Sequence, residues 1–259
     1  VAVGELAGKV AVVTGGSSGL GREIALEYAA RGAAVVVASN AAAANEAVAA
    51  EAGAHALAVS VDVRIESEVR DLFAQTLLEL GAVDILVAAA GLDVRESPAP
   101  DDRHVRHVRL DTWETVIGVN LTGTFLCIRE ALAHMIDRSS GSIVTFTSGT
   151  VRAPRPGLAA YTSSKAAIVS LTRIVALEVA PHGIRANVVE PGGPTRTAFF
   201  GDSVPPEVQA RMHDPAIIRG CAAYLASDES AGVTGESLVA TEWNRERGLR
   251  LCSCAECAG

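Results

Sequence analysis

The sequence predicts one doubly wound α/β domain, in which a parallel sheet of seven strands is flanked by helices on both faces. Three observations predict it. Short β-rich runs alternate with longer amphipathic stretches along the chain, a rhythm that builds parallel strands joined by right-handed crossovers. The strand runs are continuously apolar, as burial on both faces requires. Of the 259 residues, 49% are apolar but only 4% aromatic; Ala and Val dominate, which favours close packing of helix on sheet around a sizeable core.

The elements follow in order. A strand at 9–14 (KVAVVT) runs into glycine and serine. A helix at 20–32 carries Ile24, Leu26 and Tyr28 among its apolar positions and closes on Gly32, which suits a C-cap. A strand at 33–39, a helix at 43–53 and a strand at 55–63 complete the first half-unit. The alternation continues with a helix at 66–81, a strand at 83–91, a long helix at 111–136, a strand at 141–148, a helix at 160–183 and a strand at 184–192. A helix at 215–227 and a short strand at 237–241 end it. No repeat or linker interrupts the series, so residues 1–243 read as one domain and 244–259 as a flexible C-terminal tail. Two polar stretches, 92–110 and 192–214, follow strands. They belong at the carboxyl edge of the sheet, where ligands bind in such folds and long loops act as lids or binding loops.

Composition narrows the function. The formal net charge of −8 argues against a nucleic-acid partner, which calls for a basic face. No run of 18 apolar residues lacks a charge, so no membrane span is expected, and the first residues lack the pattern of a secretory leader. Five cysteines do not make a disulfide framework, and a cytoplasmic location fits best. Cys127 and Cys221 fall in helical patterns and read as small buried hydrophobes. Cys252, Cys254 and Cys257 crowd the tail, where a fourth ligand for a metal is missing. His104 and His107 likewise lack the carboxylate or cysteine pattern that would complete a site, so no metal is expected.

The turn between the first strand and first helix reads TGGSSGLG, residues 14–21. Gly15, Gly19 and Gly21 allow a tight turn and a close backbone approach, and the helix that follows offers free N–H groups to a pyrophosphate. In this βαβ context the cluster points to a dinucleotide. Tyr161 and Lys165 stand at i and i+4 in AYTSSKAA, so they share one helix face. A neighbouring ammonium favours the phenolate, and tyrosine then becomes useful as a proton donor or acceptor near neutral pH. Hydride transfer to a ketone needs such a proton on the carbonyl oxygen.

The motif TGGSSGLG together with YxxxK at Tyr161–Lys165 resembles the short-chain dehydrogenase/reductase family, over residues 6 to about 241. The resemblance implies a Rossmann-type fold and an NAD(P)-dependent oxidoreductase interconverting an alcohol and a ketone on a small molecule. It implies a catalytic set of Asn120, Ser148, Tyr161 and Lys165, in which Ser148 bonds the substrate oxygen and Asn120 holds a water in a proton relay to the lysine. It implies cofactor contacts at Thr14, Gly15, Ser17, Ser18, Gly19, Leu20, Gly21, Ser39, Asn40, Asp62, Val63, Ala90 and Gly91, at Tyr161 and Lys165, and at Pro191 and Gly192, with Asp62 at the adenine. It also implies a homotetramer or homodimer built through the two long helices.

Several positions depart from the family pattern. Ser39 stands where NAD users place Asp, and Asn40 where many NADP users place Arg. No carboxylate repels a 2′-phosphate there, and Arg22 is near enough in sequence to attract one, so the balance tips slightly to NADP over NAD. The family's N-N-A-G is AAAG here, with Ala88 and Ala89; Thr14 is expected to reach this segment through backbone. After Pro191 and Gly192, the family threonine is either Thr195 or Thr197. Arg152 and Arg155 flank the site and are candidate partners for an acidic substrate group. Two other readings remain open: a nucleotide-binding sensor or scaffold without turnover, and an epimerase or dehydratase of the same family.

Overall fold

The computed structural model describes residues 5–93, 103–197, 204 and 206–249. Strands β1 (Val10–Thr14), β2 (Ala34–Ser39), β3 (Ala56–Ser60), β4 (Ile85–Ala88), β5 (Gly141–Phe146), β6 (Ile184–Glu190) and β7 (Ser237–Val239) form one sheet in the order β3-β2-β1-β4-β5-β6-β7. Every neighbouring pair is parallel. Helices α1 (Gly19–Ala30), α2 (Ala42–Ala52), α3 (Glu66–Leu80), α4 (Leu110–Ile117), α5 (Gly123–Arg138), α6 (Ala159–Val179), α7 (Pro206–Gln209), α8 (Arg219–Ala226) and α9 (Ala240–Glu246) surround it.

Successive strand residues point to opposite faces, and this splits the core in two. Val13, Val35, Val37 and Val87 pack with Ile24, Tyr28 and Leu225 on one side. Val12, Val36, Leu86 and Ile143 pack with Phe73, Leu126, Ile128 and Val175 on the other. Cys127 and Cys221 are fully buried in these layers, where burial pushes both thiols up to about 12, so they behave as hydrophobes. Strand order reverses between β1 and β4, and a crevice opens at their carboxyl ends.

The seven predicted strands are all present, several of them shorter than the apolar runs. The run 55–63 leaves the sheet after Ser60. The long helix is broken between α4 and α5 by a π-helical segment, Gly118–Thr122. There the Thr124 hydroxyl donates to the Asn120 carbonyl at 2.7 Å, and the Asn120 side chain is fully buried; such bulges recur at functional sites. By length and composition alone Leu110–Arg138 is apolar enough to cross a membrane. In this fold Leu126, Cys127, Ile128, Ala131 and Met135 belong to the core beside the sheet, the pattern of a core helix. The expected boundary at 243/244 falls inside α9: Asn244 is 2% exposed and donates to the Ile217 carbonyl at 2.8 Å. The three tail cysteines lie outside the described residues.

Asp84 ties three strands at their amino ends. Its carboxylate accepts from the Val10 N–H at 2.8 Å and from Arg138 at 3.0 Å. Its backbone joins Val10 and Ser142. Removing the carboxylate leaves a buried N–H without a partner, at a cost of about 1–3 kcal/mol. Asp84→Ala should therefore lower the urea midpoint with an unchanged slope; an unaltered midpoint would show that the strands need no such tie.

Candidate active site

The turn after β1 is built on backbone proximity. Gly15 has φ of +69°, and a Cβ there would lie 2.7 Å from the Ala90 nitrogen. A Cβ on Gly21 would lie 2.2 Å from the Gly15 carbonyl oxygen. Glycine at both positions lets the turn, the start of α1 and the segment after β4 close on one another. As expected from sequence, Thr14 reaches that segment through backbone: the Ala89 N–H donates to its carbonyl at 3.1 Å. Alanine at 89 leaves this bond intact.

No side chain caps α1, and no acidic residue stands in its first turn. Its amino end opens into a cavity of about 970 Å³. Uncapped N–H groups and a positive helix end favour a phosphate, and Ser17 and Ser18 line the same wall. These residues fit an anionic dinucleotide. At the end of β2, Ser39 donates to Asn45 at 2.7 Å and stands 2.9 Å from the Ser17 hydroxyl, while Asn40 is exposed. Arg22 forms ion pairs with Glu51 at 2.6 Å and Glu23 at 3.0 Å. The Asp62 carboxylate holds Arg64 through both oxygens, and these bonds from Arg64 keep its carboxyl below the usual range.

The reactive groups gather beyond the turn. Tyr161 and Lys165 project from the first two turns of α6 into the cavity, and Ser148 faces them from the loop after β5. The Lys165 ammonium lies 5.8 Å from the centre of the Tyr161 ring and donates to the Phe146 carbonyl at 3.1 Å. Burial lowers the Lys165 pKa from 10.5 to about 8. Asn120 donates to the Leu92 carbonyl and the Ser164 hydroxyl, each at 3.0 Å, and accepts from the Leu92 N–H at 2.8 Å. Ser164 in turn donates to the Tyr161 carbonyl at 2.7 Å. Asn120 thus clamps the chain after β4 to the turn of α6 that bears the tyrosine.

All the residues expected at the site line this one cavity except Thr14 and Asn120, which lie one layer behind it. The two candidate threonines, Thr195 and Thr197, stand in different places. Thr195 is buried and bonds the Gly193 carbonyl, whereas the Thr197 methyl lies 3.1 Å from where a Gly19 Cβ would stand, over the phosphate turn. Arg152 pairs at 2.9 Å with Glu190, whose pKa is raised by burial, and Arg155 lines the same cavity. Sequence reasoning missed Glu190; the signal was a carboxylate ending an apolar strand, directly before Pro191. Among the described residues, His104 and His107 belong to no group of three candidate metal ligands.

Lys165 carries a stability consequence. Its folded pKa lies below the unfolded value, so between about pH 8 and 10.5 the unfolded chain binds the extra proton and stability rises with pH. Below about pH 8 the full penalty applies, on the order of 3 kcal/mol. Without ligand, Lys165→Met should melt several degrees above the parent at pH 7, and the gap should shrink towards pH 10.5. A constant gap across this range would contradict the assignment.

The chain resembles known proteins over most of its length. A family model described as short chain dehydrogenase matches residues 9–207. The chain is 38% identical over 251 residues to 3beta-hydroxysteroid dehydrogenase 1 of Eggerthella lenta, covering 90% of this chain and 92% of that one. It is 36% identical to cis-4-hydroxycyclohexanecarboxylate dehydrogenase of Sinomonas cyclohexanicum, over 89% and 94% of the two chains. Among solved structures, the 3-ketoacyl-(acyl-carrier-protein) reductase of Brucella melitensis complexed with NADH superposes with a TM-score of 0.83 at 31% identity, covering 90% and 97%. The chain belongs to the short-chain dehydrogenase/reductase family of oxidoreductases.

Proposed function

We propose that the protein is an NAD(P)-dependent oxidoreductase that interconverts an alcohol and a ketone on a small molecule. The observation that supports this most is the meeting of Ser148, Tyr161 and Lys165 with the glycine turn in one cavity. A nucleotide-binding scaffold has no need of the first two. The bound nicotinamide would supply or accept the hydride. The turn 15–21 would hold its phosphates, Asp62 and Val63 its adenine end, and Pro191, Gly192 and Lys165 its nicotinamide riboside. Tyr161 would give a proton to the carbonyl oxygen in reduction and remove it in oxidation. Lys165 favours the phenolate electrostatically, and Asn120 keeps the tyrosine's turn in place and would anchor the relay water.

The cofactor preference rests on the end of β2. Arg22 is shared with Glu51 and Glu23, so the lean to NADP depends on the missing carboxylate at Ser39 and Asn40. Arg152 is paired with Glu190, whereas Arg155 lines the same cavity without an ion pair to a described carboxylate, so Arg155 is the cation that would meet an acidic substrate group. For the quaternary structure we propose a homodimer or homotetramer through α5 and α6, whose outer faces expose Phe125, Ile174 and Leu177, the last by 79%.

The direct test follows nicotinamide absorbance over a panel of ketones and alcohols with each cofactor. Tyr161→Phe should lower kcat by about 10²–10⁴-fold while the Kd for cofactor stays within about threefold; full activity in that variant would remove the mechanism. Conversion of substrate without net NAD(P)H change would point instead to an epimerase or dehydratase. Ser39→Asp should move kcat/KM towards NADH at least tenfold, and an unmoved ratio would place the discrimination elsewhere. Light scattering should give a dimer or tetramer that Leu177→Asp breaks; a parent that scatters as a monomer would refute the assembly.

A further inference from the structure

Ser148 is held by a line of hydroxyls. The Thr162 hydroxyl donates to the Thr150 hydroxyl at 3.1 Å. The Thr150 hydroxyl donates to the Ser148 oxygen at 3.1 Å. The Thr150 backbone N–H donates to that same oxygen at 3.3 Å, the cap of the short turn Gly149–Val151. A serine hydroxyl has two acceptor lone pairs and one proton. Both lone pairs of Ser148 are therefore engaged from the protein side. Its proton is the one valence left for the cavity.

We propose that Thr150 is a positioning residue that fixes Ser148 as a hydrogen-bond donor toward the substrate oxygen, with Thr162 setting the direction of the line. The inference rests on the functional reading above. A carbonyl or alkoxide oxygen can only accept, so a serine locked as donor fits it. An alcohol facing the same serine must also accept, which turns its own proton away from Ser148 and toward Tyr161. The line thus separates two tasks: Ser148 holds the oxygen and Tyr161 exchanges the proton. Its members polarise one another in the same sense. Thr162 follows Tyr161 directly on α6, so the line also couples the loop after β5 to the helix that carries the general acid/base. Without the Thr150 hydroxyl, one Ser148 lone pair is open, and the serine can rotate to accept from water or from the alcohol.

The test uses the full chain and the best alcohol and ketone found in the panel. Thr150→Val keeps the branched shape and removes the hydroxyl. It should lower kcat about tenfold with an unchanged cofactor Kd and Tm, and Thr150→Ser should restore the rate. Thr150→Ala gives the same reading if valine perturbs the loop. In a Ser148→Ala background, Thr150→Val should cost nothing further, because the residues act as one unit. A parent-like kcat in Thr150→Val while Ser148→Ala is impaired would overturn the inference. So would a Thr150→Val loss that persists in full without Ser148. Full activity of Ser148→Ala would instead overturn the functional reading on which it rests.

Discussion

The structure depends on three backbones meeting at the carboxyl end of β1. Gly15 presses on the Ala89–Ala90 peptide, and Gly21 presses on Gly15. No side chain intervenes, so the first turn of α1 starts directly above the gap where strand order reverses. Both halves of the sheet are then in reach of one ligand. In the proposed reading, α1 meets the phosphates and β5, β6 and α6 carry the reacting groups. A single methyl in this contact would separate the turn from β4 by more than the packing of an interior tolerates.

The second constraint is a buried cation. Lys165 is only 6% exposed, and the fold gives it a carbonyl and an aromatic ring but no carboxylate within ion-pair reach among the described residues. Such an arrangement is unfavourable for the empty protein. It is sustained by its surroundings: Asn120 binds the segment after β4 to Ser164, and the Thr147 hydroxyl donates to the Lys165 carbonyl at 3.3 Å. The π-helical segment belongs to the same solution, because it delivers Asn120 to the interior while α4 and α5 continue along the sheet.

What the sequence revealed follows from the range of the physics. The strands, the glycine turn and the Tyr161–Lys165 pair are set by periodicity and short spacings, so they were legible, as was the gathering of Ser148 beside them. The partners were not. Arg22 meets Glu51 across 29 positions and Arg152 meets Glu190 across 38, and nothing local foretells those two carboxylates. The hydroxyl line through Thr150 hides among residues that usually serve as turn formers. The expected tail begins at 244, inside α9, because the charged residues around Asn244 conceal it as a single buried polar anchor.

The depressed pKa of Lys165 links binding to proton uptake. An anion settling beside it restores the charged form, so ligand binding above about pH 8 draws a proton from solution, and below that pH it draws none. The apparent enthalpy of binding then varies with the ionisation heat of the buffer on the alkaline side alone. A ligand that favours the charged amine would in this way couple its binding to proton uptake, through one buried lysine.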